Sequence, residues 1–494
     1  MSQTRPAGIT GRRLPPVPGP SEVPQYSYGW AVYVLGVLLA LGIAYVIFQL
    51  HYIYGQAPHR IIKILVGVIV LLLVAFKPKL ALHVWLLAIP IGEWLPASGI
   101  PGVNGPNLLI LIMLTSWIVP RIMSGERILS RTRLSAPVAA YILLLFFSLG
   151  RAWLFPPGAG YDGFQMLKSV WQTFLGFVVY YAAANMVVDG RQVRGLLVTF
   201  AIGSSLGALI AVRQFLGAGF DSRIGGAIGD INDLGAYFAV TASALFGLFL
   251  TSRAFTGFRR LVMGASVALA SFGVFVPKSR GGYLGVVAGV GVLTYLLNKR
   301  AVIIFAVVLA LSPVWAPTFV KDRIAETRVD SIEAELVGDA TDRLDPSAGV
   351  RLMVWGIVAK ESLRSPLVGF GYGSVPYLTA GKLSRPFSAH SLYFATLGET
   401  GLIGLAVLAW LIFACFASGK ELLRVATTPG KRGLAIAFLG ATVALLVANA
   451  FGQRFTHISI AGTYFFLAGL VDRSIAIERE THRSNEVGAK ELTS

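Results

Sequence analysis

Charged residues are scarce in this chain, and their scarcity excludes an ordinary soluble domain. Asp, Glu, Lys and Arg make up 13% of the 494 residues, whereas a soluble domain carries about 25%. Hydrophobic residues make up 55% of the chain, and the mean hydropathy is +0.70. Apolar stretches long enough to cross a bilayer recur from Trp30 almost to the last residue. We therefore predict an all-α polytopic integral membrane protein.

Cysteine is nearly absent, and histidine is sparse and scattered. The single cysteine, Cys415, lies within an apolar segment, so a disulfide framework or a cysteine-based metal site is excluded. The six histidines show no spacing typical of metal ligands. We predict no metal site and no cofactor.

The formal net charge of +18 would suggest nucleic acid as the partner of a soluble protein. No basic and aromatic surface motif accompanies the charge here, so we predict no nucleic-acid partner. In a membrane protein the same excess is typical of cytoplasmic loops, which face membrane lipids.

Hydropathy predicts 12–14 transmembrane helices. Prolines interrupt the third and fourth candidates, which leaves open whether those two cross fully. With the N-terminus inside, the short inner loops carry about twice as many Lys and Arg residues as the short outer loops, as the positive-inside rule requires. The fourteen candidate spans are 30–48, 61–76, 80–95, 106–120, 136–154, 165–187, 196–216, 233–251, 261–277, 281–298, 301–315, 391–418, 433–450 and 456–471.

Composition divides the chain into four regions and one long outer loop. A Pro-rich, basic stretch precedes the first apolar segment and is typical of a disordered cytoplasmic tail. The predicted regions are the tail 1–28, N-terminal transmembrane helices 29–190, a transmembrane core 191–471 that contains the outer loop 316–390, and a cytoplasmic tail 472–494.

Single cations lie on the outer side, against the local charge bias. Arg213 and Arg223 follow the seventh span, Lys278 and Arg280 lie between the ninth and tenth, and Arg454 precedes the last. An ionisable group at an unfavourable membrane position indicates function. Guanidinium groups suit phosphate because their fork of donors binds it bidentately. We therefore predict an anion site near the outer leaflet.

The sequence of the outer loop predicts two short helices and a glycine-rich turn. Apolar spacing predicts an amphipathic helix over 321–336, and a second helix over 350–364 ends before Pro366. Glycines alternate over 369–373, which is weak evidence of phosphate binding and fits equally a turn packed on the helices. His390 opens the twelfth span, either as a catalytic group or as a hydrogen-bonded structural residue.

Taken in order, these residues carry a family resemblance. The chain resembles the bacterial O-antigen ligase and polysaccharide polymerase superfamily over about residues 200–470, although the family often has His-Asn where this chain has His390-Ser391. The motifs are Arg223-x-x-Gly226, Asn232-Asp233-Leu234, Ser279-Arg280-Gly281-Gly282, Arg351-x-x-x-Trp355, Ser365-Pro366-Leu367-x-Gly369-x-Gly371, His390-Ser391-x-Tyr393 and Glu399-x-Gly401-Leu402-x-Gly404.

The resemblance implies a metal-independent, inverting membrane glycosyltransferase of the GT-C type. Its donor would be a glycan linked to undecaprenyl pyrophosphate, and its site would face the periplasm from the bacterial inner membrane. Arg223 and Arg280 occupy the family's pyrophosphate-contacting positions, and His390 occupies the position proposed to activate the acceptor. Chain-length or export proteins of the same pathway would be partners.

Further residues are candidate substrate contacts. Arg213, Lys278, Arg351 and Arg385 could contact the anion, although Arg213 fits equally a side chain that snorkels to the headgroups. Trp355 and Tyr393 could stack on a sugar, or could belong to the aromatic belt or the core.

Three functions follow from this interpretation. We expect a polysaccharide (O-antigen or exopolysaccharide) polymerase, because the chain is longer than a minimal ligase. The alternative is an O-antigen ligase that passes finished glycan to lipid A–core or to protein. A lipid-linked glycan flippase or transporter belongs to another class; it would place charges near the bilayer midplane and often shows inverted repeats.

Overall fold

The chain forms helices throughout the part that the computed structural model describes. That part comprises residues 80–94, 105–219, 222–251, 256–325, 346–383 and 385–493, together with Ile69, Leu72 and Lys77. Its sixteen α-helices are α1 (Ala81–Ala88), α2 (Gly105–Ser124), α3 (Ser135–Leu154), α4 (Gly163–Met186), α5 (Gly190–Ala218), α6 (Ile231–Thr251), α7 (Phe258–Phe275), α8 (Arg280–Leu297), α9 (Ala301–Ala310), α10 (Ser312–Trp315), α11 (Thr318–Ala325), α12 (Pro346–Ser362), α13 (Val375–Thr379), α14 (Leu392–Val425), α15 (Pro429–Ala450) and α16 (Ile458–Thr493).

The prediction of an all-α polytopic membrane protein is confirmed. Within the described residues, nine helices are long and apolar enough to cross a membrane: α2, α3, α5, α6, α7, α8, α14, α15 and α16. The fourth predicted span is the full-length helix α2, whereas the third is short, because α1 continues only as the 3₁₀ helix Ile89–Trp94. The predicted tail 1–28 and the first predicted span lie outside the described residues, as does nearly all of the second.

Three tightly packed helices form the centre of the core region. Gly281, Gly285 and Gly289 recur every four residues along α8, a spacing that lets membrane helices approach closely. A methyl group at Gly285 would lie 3.1 Å from the Ala444 carbonyl oxygen of α15, and one at Gly282 would lie 2.9 Å from the Gly235 carbonyl oxygen of α6. Helix α8 is therefore held against α6 and α15 at backbone distance.

The helices give the bundle two distinct ends. Helices α6, α8, α14 and α16 all begin at one end, which we call the His390 end. Helices α3, α7 and α15 begin at the opposite end, which we call the Glu421 end because Glu421 lies in the last turns of α14. The basic residues of the predicted inner loops, such as Arg133 and Lys431, lie at the Glu421 end.

Helix α14 is discontinuous. Gly401 has φ 66° and ψ −158°, which is not helical, and the helix breaks there. Segment 366–371 fills the break and bonds the freed backbone groups, as a break within a membrane requires. The four bonds run from Leu402 N–H to Pro366 O (2.8 Å), Ile403 N–H to Leu367 O (3.1 Å), Phe370 N–H to Gly398 O (2.8 Å) and Gly371 N–H to Glu399 O (3.0 Å).

This contact explains the first of the alternating glycines of 369–373 and the glycine at the break itself. Gly369 has φ 62°, and a methyl group on it would lie 2.5 Å from the Glu399 carbonyl carbon. One on Gly401 would lie 2.5 Å from the Leu367 carbonyl oxygen. Only glycine fits these positions, so the structure supports the packed turn rather than a phosphate loop.

Two predicted elements differ in the structure. The predicted span 301–315 is divided into α9 and α10 at Leu311, just before Pro313, which has no backbone N–H to continue the hydrogen bonds of α9. The helix of the predicted span 456–471 does not end there but continues as α16 through the predicted cytoplasmic tail 472–494, and Asp472 accepts a hydrogen bond from the Tyr180 hydroxyl at 2.6 Å.

The predicted outer-loop helices are present in part. Helix α11 ends at Ala325, the last described residue before position 346. The remainder of the predicted helix 321–336 therefore lies outside the described residues. The predicted helix 350–364 is α12, which begins earlier, at Pro346.

Candidate active site at the His390 end

A polar cavity of about 140 Å³ lies where α6 and α8 begin and α15 ends. Four of its lining residues are arginines, and no carboxylate is among the described residues that line it. The volume is below the roughly 300 Å³ at which pockets for drug-sized ligands begin, so it suits a headgroup rather than a whole glycan. The described lining residues are Arg223, Asn232, Ser279, Arg280, Gly281, Arg351, Phe451 and Arg454.

Arg280 is the first residue of α8, and the start of that helix is fixed on two sides. Ser279 caps the helix by accepting a hydrogen bond from Gly282 N–H at 3.4 Å. The Ser279 hydroxyl also donates to Asn232 Oδ1 at 3.3 Å, which joins the start of α8 to the start of α6. A methyl group at Gly235 would lie 2.5 Å from Ser279 Cβ, so the two helix starts are as close as their backbones permit.

Arg223 lies in the connection that leads to α6. The backbone turns tightly at Gly226 (φ 63°), and a Cβ there would meet the Leu234 side chain at 3.0 Å. Asp230 ends the turn and accepts hydrogen bonds from the backbone N–H groups of Asn232 (2.7 Å) and Asp233 (2.9 Å). The positive ends of the α6 and α8 dipoles thus lie beside the arginines and favour an anion.

Arg454, which the sequence places among the outer cations but not among the predicted catalytic or substrate contacts, is the fourth arginine of the cavity. It begins a 3₁₀ turn between α15 and α16, is 7% exposed, and forms an ion pair with Asp233. Its backbone N–H donates to Asn449 Oδ1 at 2.9 Å, and its Nη2 donates to the Phe451 carbonyl oxygen at 3.1 Å. The sequence held one signal, a lone arginine in a short outer loop, but gave no indication of its partner.

Arg351 reaches the cavity from α12, and the same helix supports the His390 segment. The Trp355 indole N–H donates to the Ala389 carbonyl oxygen at 2.8 Å, and its ring stacks on Phe394 with centroids 4.9 Å apart. Around these rings lies a small apolar cluster of Val354, Val358, Val375, Ala389 and Ala395. For Trp355 this geometry favours packing over sugar stacking.

His390 follows Ala389 and adopts a left-handed backbone conformation with φ 44°. Residues other than glycine rarely adopt it, and such strain concentrates at functional sites. The ring still reaches solvent. Partial desolvation by the surrounding protein lowers the pKa of His390, Arg351 and Arg454 lower it further, and Asp230 opposes them. His390 therefore favours the neutral imidazole and lies near the cationic side chains of Arg351 and Arg454.

The other predicted substrate contacts are not among the cavity residues. Arg213 is exposed near the end of α5, and the Arg385 guanidinium lies over the Phe387 ring at 4.9 Å. Lys278 is 7% exposed and has φ 50°. The Tyr393 hydroxyl donates to the Leu446 carbonyl oxygen of α15 at 2.8 Å. The structure thus brings together Arg223, Arg280, Arg351 and His390 of the predicted set, and adds Arg454.

The chemistry of these groups is that of an anion site with an adjacent proton acceptor. Guanidinium forks and two helix starts can hold a phosphate or pyrophosphate group. A neutral imidazole can accept a proton from a hydroxyl. Among the residues that the structure describes, no group of three or more His, Cys, Asp or Glu side chains is placed to hold a metal ion.

Comparison with known proteins identifies a family for part of the chain. Residues 265–409, which include Arg280, Arg351, His390 and the break at Gly401, match the family model described as O-antigen ligase. A search of curated proteins returns no match. The match confirms the resemblance and supports membership of the O-antigen ligase-related superfamily.

Proposed function

We propose that this chain of the O-antigen ligase-related superfamily transfers a glycan from undecaprenyl pyrophosphate to a sugar hydroxyl, as a polysaccharide polymerase. The family points to ligase- or polymerase-type glycosyltransferase activity in polysaccharide assembly. The observation that carries the finer proposal is the cavity of four arginines beside His390, at one end of a membrane bundle.

The donor pyrophosphate would occupy the arginine cavity. Arg223, Arg280 and Arg351 approach from three different segments of the chain, so they can surround an anion instead of contacting one side of it. The ion pair with Asp233 holds Arg454 at the wall. Fixed cations in a partly dehydrated site stabilise charge without reorganising during the reaction.

The transfer step then uses His390 as general base. The acceptor hydroxyl oxygen forms a bond to the anomeric carbon as its proton passes to the His390 imidazole. The bond between the anomeric carbon and the phosphate oxygen breaks, and its electron pair leaves with the lipid pyrophosphate. Attack opposite the leaving group inverts the anomeric configuration. The lowered pKa of His390 keeps the imidazole neutral and ready to accept this proton.

The orientation of the bundle supports a site facing the periplasm from the inner membrane. Basic side chains of the predicted inner loops, among them Arg133, Arg424 and Lys431, lie at the Glu421 end. The positive-inside rule assigns that end to the cytoplasm. The His390 end, with its cavity, would then face outward, where lipid-linked glycans are assembled into polymer.

A transporter is less well supported. Transporters often bind substrate at broken helices near the bilayer midplane. Helix α14 is broken, but backbone bonds from 366–371 close the break, and the arginine cavity lies at helix ends.

A transfer assay with purified protein tests the proposal. Undecaprenyl-pyrophosphate oligosaccharide is supplied with EDTA, and the wild type is compared with His390→Ala and with the exposed control Arg213→Ala. We expect a ladder of lengthening lipid-linked products that EDTA and Arg213→Ala leave intact and His390→Ala abolishes.

The product pattern distinguishes the alternatives. Transfer only after lipid A–core or a protein acceptor is added would identify a ligase. Glycosyl transfer would be contradicted altogether by two results together. No acceptor would give product, and His390→Ala would behave like the wild type in a glycolipid-flipping assay.

A further inference from the structure

A second basic cavity lies at the Glu421 end, remote from the candidate active site. It has a volume of about 740 Å³ and opens between the end of α2, the end of α4 and the middle of α16. Four arginines line it, and none of its described lining residues is a carboxylate. These arginines are Arg121, Arg127, Arg131 and Arg473.

Two of the arginines are held by the end of α4. Arg121 Nη2 donates to the Asn185 carbonyl oxygen at 2.9 Å. Arg473 Nε donates to the Val187 carbonyl oxygen at 2.7 Å, and its Nη2 donates to the Val188 carbonyl oxygen at 3.0 Å. These bonds place two guanidinium groups in the wall of the cavity.

The other two arginines lie on the loop at the mouth of the cavity, and that loop is attached to α4. Asn185 Oδ1 accepts hydrogen bonds from Ser130 N–H at 2.8 Å and from the Ser130 hydroxyl at 2.7 Å. Arg127 and Arg131, on either side of this attachment, are exposed. The mouth is therefore built from a fastened loop that presents two cationic side chains.

Nearby carboxylates do not neutralise the cavity. Glu126 lies 3.8 Å from Arg121 Nε, and Glu480 lies 3.1 Å from Arg473 Nη1. Their side chains are 53% and 64% exposed, so water screens both pairs. Four cations against two screened carboxylates leave a net positive cavity.

The cavity lies towards the cytoplasmic side of the predicted membrane span. Arg473 follows the start of α16 by fifteen residues, about 23 Å along the helix, which is most of the way across a hydrocarbon core of about 30 Å. Exposed apolar side chains surround the cations, and they would lie against acyl chains. They are Leu129 and Val188, which line the cavity and are 50% and 55% exposed.

We propose that this cavity binds the phosphodiester headgroup of an anionic membrane phospholipid. Arginine forks recognise phosphate, and basic pockets between transmembrane helices on the cytoplasmic side suit anionic headgroups. The apolar rim selects a lipid over a soluble phosphate. The inference rests on the Glu421 end alone and holds whatever reaction occurs at the His390 end.

Native mass spectrometry of the full chain released from detergent tests this site. Phosphatidylglycerol and phosphatidylcholine are titrated into the wild type, Arg127→Ala/Arg131→Ala, and the control Arg259→Ala/Arg432→Ala. The control removes the same charge from exposed arginines that do not line the cavity. We expect wild type to retain phosphatidylglycerol preferentially, the cavity variant to bind it about thirtyfold more weakly, and the control to change little.

Three outcomes would overturn the proposal. The first is equal loss in the cavity variant and the control, which would indicate a general charge effect. The second is equal retention of the two lipids by wild type. The third is displacement of phosphatidylglycerol by inorganic phosphate at matched phosphate concentration, which would indicate a site for a soluble anion. A thermal unfolding curve for each variant verifies that the chain remains folded.

Discussion

The ion pairs at the Glu421 end and the arginine cavity at the His390 end place their cations in different surroundings. At the Glu421 end, Lys431 pairs with Glu478 at 3.0 Å, and their side chains are 17% and 2% exposed. Glu421, 6% exposed, accepts from Arg479 at 2.8 Å. At the His390 end, no carboxylate is among the described residues lining the arginine cavity. Cations with buried carboxylate partners join helices, whereas the four arginines at the His390 end line a cavity.

Arg454 shows that the two uses meet in one residue. Its ion pair with Asp233 joins the start of α6 to the connection before α16, as the pairs at the Glu421 end do. Yet the same side chain lines the cavity. The role of each cation therefore depends on its surroundings, and substitutions at matched positions can test this dependence.

The largest expected effect is that of Arg280→Ala on glycosyl transfer. Removing one fixed donor to developing charge costs about 3 to 4 kcal/mol, so kcat should fall about 100- to 1,000-fold. Arg280→Lys should recover part of the rate, because it restores the charge but not the fork. Steady-state kinetics measure the effect. Arg259→Ala, an exposed arginine at the opposite end, is the control, and an equal loss there would contradict the distinction between the ends.

Glu478→Gln should affect stability and leave the chemistry intact. The change leaves Lys431 without its buried charge partner and weakens the bonds that Glu478 accepts from Thr427 N–H (3.1 Å) and its hydroxyl (2.9 Å). Breaking a buried pair in this way costs about 3 kcal/mol. Unfolding in detergent should show that loss, with kcat per folded molecule unchanged. Glu480→Gln is the control, since its pair with Arg473 is 64% exposed on the Glu480 side and should contribute under about 1 kcal/mol.

The pH dependence of transfer should report the arginines around His390. The base acts as neutral imidazole, and its lowered pKa means that kcat/KM is level at pH 7 and above. The rate should fall about tenfold per pH unit once pH lies below that pKa. Arg351→Gln removes a cation that lowers the pKa, so the acid limb should move to higher pH. Arg385→Gln should leave the acid limb at the same pH. If Arg385→Gln shifts the limb as far as Arg351→Gln does, the limb does not report the cations around His390.

The same pKa has a consequence for stability. Because the pKa of His390 is lower in the folded chain than its usual 6.5, the unfolded chain binds more protons just below pH 6.5. Stability therefore rises with pH through this window, and the His390 contribution is lost as pH falls through the folded pKa.

Much of the fold was predictable because a membrane helix can be recognised from a local run of apolar residues. Long apolar runs gave helices such as α6 and α15 within a few residues. The division of the predicted span 301–315 was missed although the span contains Pro313. Hydropathy is averaged over a window of residues, and the average hides a short break in a helix. The continuation of α16 past Asp472 was missed because its polar residues look like a tail until Tyr180 supplies a partner.

The site was predictable only where residues carry their own signal. Arg223, Arg280 and His390 stood out as ionisable groups at membrane faces. The role of Arg454 depends on Asp233, which lies 221 residues earlier in the chain, and such a contact is not visible in local patterns. The glycines of 369–373 were ambiguous for the same reason, since the residues they approach lie far away in the chain: Gly369 approaches Glu399, and Gly371 approaches Ala152.

Trp355→Phe should have the smallest of these effects. Its kinetics should still show whether Trp355 contacts the ligand or holds the His390 segment in place. Trp355→Phe keeps a ring to stack on Phe394 but removes the hydrogen bond to the Ala389 carbonyl oxygen, worth about 1 kcal/mol. That bond fixes the residue before His390, whose φ of 44° is strained, so its loss lets the segment relax. We expect kcat to fall about fivefold with KM unchanged, because the base is displaced and no donor contact is lost.

The matched control for Trp355→Phe is Trp171→Phe. Trp171 stacks on Phe174 within α4, is 41% exposed, and is not among the residues that line the arginine cavity. Kinetics with varied donor concentration distinguish the roles. A raised KM in Trp355→Phe would mean that the indole contacts the glycan directly, and the assignment of Trp355 to support would then be wrong. A fall in kcat alone, absent from Trp171→Phe, would show that the support of a strained histidine is as much part of the site as the arginines.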